Sequence, residues 1–111
     1  MTVRVSAVTM NSPDPARTAA FWAATLEGRV ADGGNGFVHV RSATLLLIVQ
    51  PSPERPAGAG TDVHVDLHSD DPAATVARAL ASGGQLVARR ADSHGTWTVL
   101  RDVDGREFCV A

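Results

Sequence analysis

Imidazole and carboxylate groups alternate along one short segment of the chain and are the groups best suited to chemistry. They occupy every second position: Asp62, His64, Asp66 and His68. The positions between them are aliphatic, and every second side chain of a β-strand points to the same face. A carboxylate fixes the tautomer of a neighbouring imidazole, which exchanges protons near neutral pH. We therefore predict that His64 and Asp66 form a pair for general acid/base catalysis or ligand binding. The alternative is a half-solvated strand face whose polar groups are satisfied by neighbouring strands.

The last strand-like segment adds two more candidates, Glu107 and Cys109. Alternation separates them from Phe108 and Val110, which we expect in the core. Glu107 is a candidate acid. Cys109 has no cation nearby in sequence to lower the pKa of its thiol, so we expect a small buried apolar residue rather than a nucleophile.

Trp97 shares a predicted strand face with Val99 and Arg101. Because tryptophan carries a large apolar area, this residue either lines a binding cavity or packs in the core. Trp22 directly follows Phe21 on a predicted helix, so we expect it at a seam between modules or subunits.

The elements that must position these residues occur in the same order twice. In the first half, a strand (residues 3–11), a helix (16–26) and three strands (29–31, 36–40 and 44–50) follow one another. Ser12 or Asp14 is the expected helix N-cap, and Gly28 is expected to end the helix in a left-handed conformation.

After a proline- and glycine-rich segment the second half repeats this order: a strand (62–68), a helix (72–82) capped by Asp70 or Asp71, and strands at 85–88, 96–101 and 106–110. The cap itself repeats, since Ser12-Pro13-Asp14-Pro15-Ala16 resembles Ser69-Asp70-Asp71-Pro72-Ala73. We predict an α+β fold of two βαβββ modules, residues 1–50 and 62–111, joined by a linker at 51–61 within one domain.

Composition excludes several partners. The chain of 111 residues has a formal net charge of −2, and its ten basic residues are all arginine. No basic patch suits nucleic acid or an anionic membrane, and no apolar run is long enough to span a bilayer. A single cysteine and the lack of a secretory leader indicate a cytoplasmic protein.

Three features together resemble the glyoxalase, bleomycin-resistance and extradiol-dioxygenase superfamily, also called vicinal oxygen chelate proteins, in its small glyoxalase-like variant. They are the paired βαβββ modules with Phe21-Trp22 on the first helix, the strand His64-Val65-Asp66-Leu67, and the ending Asp104-Gly105-Arg106-Glu107-Phe108-Cys109. The resemblance implies a curved mixed sheet around a cavity that His64, Asp66, Glu107 and Cys109 face.

In metal-dependent members of this superfamily, four strand positions hold one ion. The resemblance carries these positions onto Ala7, a residue within 46–50 (Leu46 or Ile48), His64 and Cys109. Only His64 is a clear ligand, and a divalent ion needs about three or more donors. We therefore expect no resident metal. The alternative is an ion held by His64 with other ligands, such as Gln50 or Glu107, in a metal-dependent lyase or dioxygenase.

The function implied is binding of a small organic molecule, with His64, Asp66 and Glu107 as polar or catalytic groups. The predicted ligand contacts are Ala7, Leu46, Ile48, Trp97 and Cys109. Metal-free lyase or isomerase chemistry and sequestration of a drug or metabolite both fit this expectation. A structural or regulatory homodimer without ligand is a third possibility. We expect a homodimer in each case, because short edge strands and Trp22 need cover.

Overall fold

The structure, a computed structural model, describes residues 5–53, 64–93 and 95–111. The chain divides into two compact units, Met1–Arg55 and Pro56–Ala111. The elements of the first unit are β1 (Val8–Ser12), α1 (Pro15–Leu26), β2 (Arg29–Gly34), β3 (Phe37–Arg41) and β4 (Leu46–Pro51). Those of the second are β5 (Val65–Leu67), α2 (Pro72–Ala81), β6 (Gln85–Asp92), β7 (Gly95–Arg101) and β8 (Glu107–Val110).

Each unit forms one four-stranded mixed sheet, with the order β1-β4-β3-β2 in the first and β5-β8-β7-β6 in the second. The first and last strands of each unit pair in parallel, and the other pairs are antiparallel. This confirms the predicted α+β class and its two βαβββ modules. Most of the predicted linker, and the first two residues of the predicted strand 62–68, lie outside the described residues.

The repeated sequence at the two helix starts encodes the same cap twice. Asp14 accepts a hydrogen bond from the N–H of Arg17 at 3.2 Å, and Asp71 accepts one from the N–H of Ala74 at 3.2 Å. The hydroxyl of Ser12 accepts from the N–H of Asp14, and that of Ser69 accepts from the N–H of Asp71. These bonds satisfy N–H donors at the start of each helix that have no partner within the helix. Both modules therefore need the same serine and aspartate at the helix start.

The end of α1 differs from the prediction. Glu27, not Gly28, adopts the left-handed conformation, with φ 56° and ψ 42°. Gly28 is needed for a different reason, because a Cβ there would lie 2.7 Å from the carbonyl oxygen of Arg41. The strand after the helix therefore runs too close to β3 for a side chain at this position.

Both aromatic rings of α1 are in the core. Phe21 and Trp22 are fully buried, and their ring centroids lie 5.5 Å apart in an edge-to-face contact. This geometry lets neighbouring residues share one core, so the expectation that Trp22 needs a second subunit to cover it is wrong.

The turn between β7 and β8 fixes the last strand. The buried carboxylate of Asp102 accepts hydrogen bonds from the N–H groups of Asp104 and Arg106, both at 2.9 Å, and from the Arg106 guanidinium. Asp102 also donates its own N–H to the carbonyl of Arg106 at 2.8 Å. The Asp-Val-Asp-Gly-Arg motif therefore sets the register of the strand that carries Glu107 and Cys109. No helix in the described part of the chain is long and apolar enough to cross a membrane.

Candidate functional site

The second sheet has one apolar face and one face that carries the candidate groups. Val65 pairs with Phe108 and Leu67 pairs with Val110. Phe108 and Val110 are fully buried. Asp66 pairs with Cys109 on the opposite face. Residues opposite each other in a register point the same way. We call this second surface, formed by His64, Asp66, Cys109 and Glu107, the His64 face.

His64 lies between a thiol and a carboxylate. Its Nε2 is 3.5 Å from the Sγ of Cys109, within hydrogen-bonding distance for sulfur. Its Nδ1 is 3.8 Å from Oδ1 of Asp66, close enough for electrostatic attraction although longer than a hydrogen bond. The two ring nitrogens therefore face different partners, in the order Cys109, His64, Asp66. A proton on Nδ1 is favoured by the carboxylate, and this tautomer leaves Nε2 free to accept the thiol proton.

The environment of Cys109 keeps its thiol protonated. Burial raises the pKa of this thiol above its ordinary value, and the carboxylates of Asp66 and Glu107 raise it further, while Arg90 lowers it. The residue is 8% exposed, as expected from the sequence. Cys109 nevertheless makes a polar contact with His64. A small apolar residue in the core needs no such contact.

Glu107 lies two residues before Cys109 on β8, on the same face, and is paired with a cation. Its Oε2 is 3.4 Å from Nη2 of Arg101, the residue directly opposite it on β7. The side chain of Glu107 is only 18% exposed, whereas that of Arg101 is 44% exposed. Glu107 is thus a positioned carboxylate beside the thiol.

His68 and Trp97 lie outside the cluster of His64, Asp66 and Cys109. His68 lies after the end of β5, is exposed, and approaches Asp70 at 3.7 Å. Trp97 is half-buried and pairs with Arg90. It also contributes to a cavity of about 590 Å³ beside α2, whose lining includes Val76 of that helix and Val110 of β8. Val99 is opposite Cys109, so alternation along β7 places Trp97, two residues before Val99, on the His64 face of the sheet. Its contact with a ligand stays a prediction.

The matching positions of the first unit are apolar. Val8 pairs with Leu47 as Val65 pairs with Phe108, so Leu46 and Ile48 correspond to Glu107 and Cys109. Ala7 lies one residue before β1, as His64 lies one residue before β5. Ala7, Leu46 and Ile48 remain predicted ligand contacts. In this register Ile48 is the counterpart of Cys109, and which residue of 46–50 corresponds to the second metal position stays a prediction.

The residues do not fit the metal site of the superfamily. Of the four positions that the resemblance implies, Ala7 and either Leu46 or Ile48 carry no donor atom in their side chains. His64, Asp66 and Cys109 each offer one donor, and these atoms lie within 4.8 Å of one another. Asp66, however, faces Nδ1 of His64, and this ring nitrogen points away from the thiol. A carboxylate in this place orients the imidazole.

Sequence reasoning missed two cations and one contact. Arg90 acts to lower the pKa of the Cys109 thiol, and Arg101 pairs with Glu107. Alternation along β6 and β7 could have placed both cations on this face. The contact between Cys109 and His64 joins residues 45 positions apart. Only the parallel pairing of the first and last strands of the module brings them together, and that pairing follows from the βαβββ order.

A family model for the glyoxalase-like domain matches residues 7–111. The chain therefore belongs to the glyoxalase-like domain family. No curated protein sequence matches it.

Solved structures share its fold at low sequence identity. One is the E126Q mutant of the fosfomycin resistance protein FosX from Listeria monocytogenes, complexed with Mn(II) and 1S,2S-dihydroxypropylphosphonic acid. It is 17% identical with a TM-score of 0.79, over 99% of this chain and 90% of that one. A bleomycin resistance determinant encoded on the transposon Tn5 is 20% identical with a TM-score of 0.71, over 97% and 96% of the two chains. A glyoxalase/bleomycin resistance protein/dioxygenase family enzyme from Burkholderia phytofirmans is 15% identical with a TM-score of 0.77, over 95% and 94%.

Proposed function

We propose that this protein binds a small organic molecule on the His64 face, and that it does so without the metal site of its superfamily. The observation that carries the proposal is the joint placement of His64 between Asp66 and Cys109, with the positioned carboxylate of Glu107 on the same face. A donor-acceptor imidazole, a carboxylate and a weakly polar thiol suit a ligand with carbonyl or hydroxyl groups.

Relatives support binding rather than any one reaction. A FosX variant was solved with a small phosphonic acid, and another similar structure is a bleomycin resistance determinant. Both metal-free lyase or isomerase chemistry and sequestration of a drug or metabolite are compatible with such a site. In the first case His64 acts as the base, Asp66 orients it and Glu107 is a possible acid. A reduced Cys109 suits the cytoplasmic location predicted from the sequence.

Histidine ring resonances provide a direct test. The protein is titrated with a fragment set of uncharged ketones, aldehydes and hydroxy ketones while the ring protons of its histidines are followed by NMR. We expect at least one fragment to shift the His64 signals and leave those of His68 unchanged, because His68 faces solvent beside Asp70. His64→Ala should abolish the binding and His68→Ala should not. Binding that survives His64→Ala, or a set in which no fragment moves His64, contradicts the proposal.

Metal analysis decides between this proposal and its competitor. If the three donor atoms of His64, Asp66 and Cys109 hold an ion, protein purified without added metal should contain about one equivalent, which is lost in His64→Ala. We expect less than about one tenth of an equivalent, because two of the superfamily positions carry no donor.

We also propose that the protein forms a homodimer. Several apolar side chains of the edge strands are exposed, among them Val30 on β2 and Leu86 and Val87 on β6. Exposed strand edges with apolar side chains are commonly covered by a second subunit. Light scattering at micromolar concentration should give twice the mass of one chain, and the mass of a single chain would show the proposal to be wrong.

A further inference from the structure

We propose that Cys109 is a nucleophile that His64 activates, and that the His64 face takes molecules with an uncharged electrophilic double bond, such as an α,β-unsaturated carbonyl. This inference rests on the proposed function, because it names the class of molecule bound at the same face. The geometry that carries it is the order of three groups: Sγ of Cys109 is 3.5 Å from Nε2 of His64, and Nδ1 of His64 is 3.8 Å from Asp66. A nucleophile, a base and a residue that orients the base are the parts of an activated-nucleophile site.

The thiol must be activated during the reaction rather than beforehand. Burial and the carboxylates of Asp66 and Glu107 raise the pKa of Cys109, so a standing thiolate is disfavoured at neutral pH. Attack therefore requires that the thiol proton leave as the new bond forms, and Nε2 of His64 is the acceptor in contact with it. Asp66 is a positioning residue here, because it acts through the ring and does not touch the thiol proton.

The surrounding charges select the electrophile. The carboxylates of Asp66 and Glu107 lie near the sulfur and oppose an anionic substrate. Sulfur is also a soft, polarisable nucleophile, which suits the β-carbon of a conjugated carbonyl. An uncharged conjugated carbonyl compound meets both conditions.

The step balances without any further reagent. The Sγ–C bond forms at the β-carbon while the π electrons of the C=C bond move towards the carbonyl and give an enolate. The thiol proton passes to Nε2 of His64 and from there to the α-carbon. The net change is addition of S–H across the double bond, with no oxidant, reductant or leaving group.

Acrylamide is a suitable probe because it is small, uncharged and slow to react with an unactivated thiol. Adduct formation is followed by intact-mass spectrometry at neutral pH, and Cys109→Ser provides the blank because the chain has one cysteine. We expect the folded protein to react faster than the same protein unfolded in urea, although its thiol is only 8% exposed. A passive buried thiol would react more slowly in the folded state.

Two histidine variants form a matched pair. His64→Ala should lower the rate in the folded protein by at least about tenfold, because it removes the proton acceptor. His68→Ala removes an imidazole beside another carboxylate, Asp70, without touching the thiol, and should leave the rate unchanged. Asp66→Asn should give a smaller decrease than His64→Ala, and it serves as the second variant if circular dichroism shows that His64→Ala is not folded.

Three results would overturn the inference. One is a folded protein that reacts more slowly than the unfolded chain, and another is an equal or faster rate in folded His64→Ala, as expected if the imidazole only shields the sulfur. The third is a stoichiometric metal that blocks the reaction until it is removed. Failure of this test leaves reversible fragment binding, measured by NMR, as a separate result, so the two proposals fail distinguishably.

Discussion

Removing the carboxylate of Asp102 should destabilise the protein more than any other single change in a turn. The side chain of Asp102 is fully buried and that of Arg106 is 6% exposed. Asp102→Ala leaves the guanidinium of Arg106 without this counter-charge and two backbone N–H groups without their acceptor. Breaking a buried pair in this way costs about 3–5 kcal/mol. Since small domains are stable by about 5–15 kcal/mol, this is a large share of the total.

The first unit provides a matched control at the corresponding turn. Between β3 and β4 the hydroxyl of Ser42 accepts from the N–H of Leu45 at 3.2 Å and donates to its carbonyl at 3.0 Å. Ser42→Ala removes these neutral hydrogen bonds without leaving a buried charge, so we expect a loss of only about 0.5–1.5 kcal/mol. Arg106→Ala should fall between the two, because Asp102 then keeps its two backbone donors.

Urea unfolding followed by circular dichroism measures these differences. With a slope of about 1–2 kcal/mol per molar, Asp102→Ala should lower the midpoint by roughly 1.5 M or more. A double variant, Asp102→Leu with Arg106→Met, should be more stable than Asp102→Ala alone because no charge is left buried. If Asp102→Ala costs no more than Ser42→Ala, the buried pair does not set the stability of this turn and the reasoning is refuted.

Two further predictions concern conformation and pH, and both are measured by urea unfolding. Glu27→Gly should stabilise the protein by about 0.5–1 kcal/mol, because glycine adopts the left-handed conformation of this position without strain. Gly28→Ala should destabilise it by about 1–3 kcal/mol, because the added Cβ would meet the carbonyl oxygen of Arg41. Effects of the same sign at both positions would contradict this prediction. The raised pKa of Cys109 contributes stability that is fully present below the pKa of an unfolded thiol, ~8.5, and is lost as the pH rises through the raised value. The wild type should therefore lose more stability than Cys109→Ala between about pH 7 and about pH 10, and equal losses would show that this thiol is not involved.

The parts of the fold that could be predicted from the sequence are those with local causes. The caps at Asp14 and Asp71 depend on a serine two residues earlier and an N–H three residues later. Alternation along β5 and β8 correctly places Asp66 and Cys109 on one face and Phe108 on the other. Such patterns repeat over short distances, so composition and spacing reveal them.

The parts that could not be predicted depend on close approach between distant segments. Gly28 was expected to be left-handed, but the requirement there is set by the backbone of Arg41, which no local pattern reports. Trp22 was expected at a seam between modules or subunits because adjacent helical residues diverge, yet it is fully buried within one chain, in edge-to-face contact with Phe21. The resemblance placed Cys109 and His64 at one site, but their direct polar contact was not predicted, since the immediate neighbours of Cys109 in sequence are apolar.

The internal repeat separates what the fold needs from what the candidate site adds. Both units have the same sheet order, the same cap and the same parallel pairing of first and last strands. At the positions of Asp66 and Cys109, however, the first unit has Thr9 and Ile48, which are paired with each other in the same register. A βαβββ unit therefore forms without an imidazole, a carboxylate or a thiol at these positions. Packing of the sheet does not require these groups, because the first unit forms the same strand pairing with Thr9 opposite Ile48. Their presence in the second unit supports a chemical role for the His64 face.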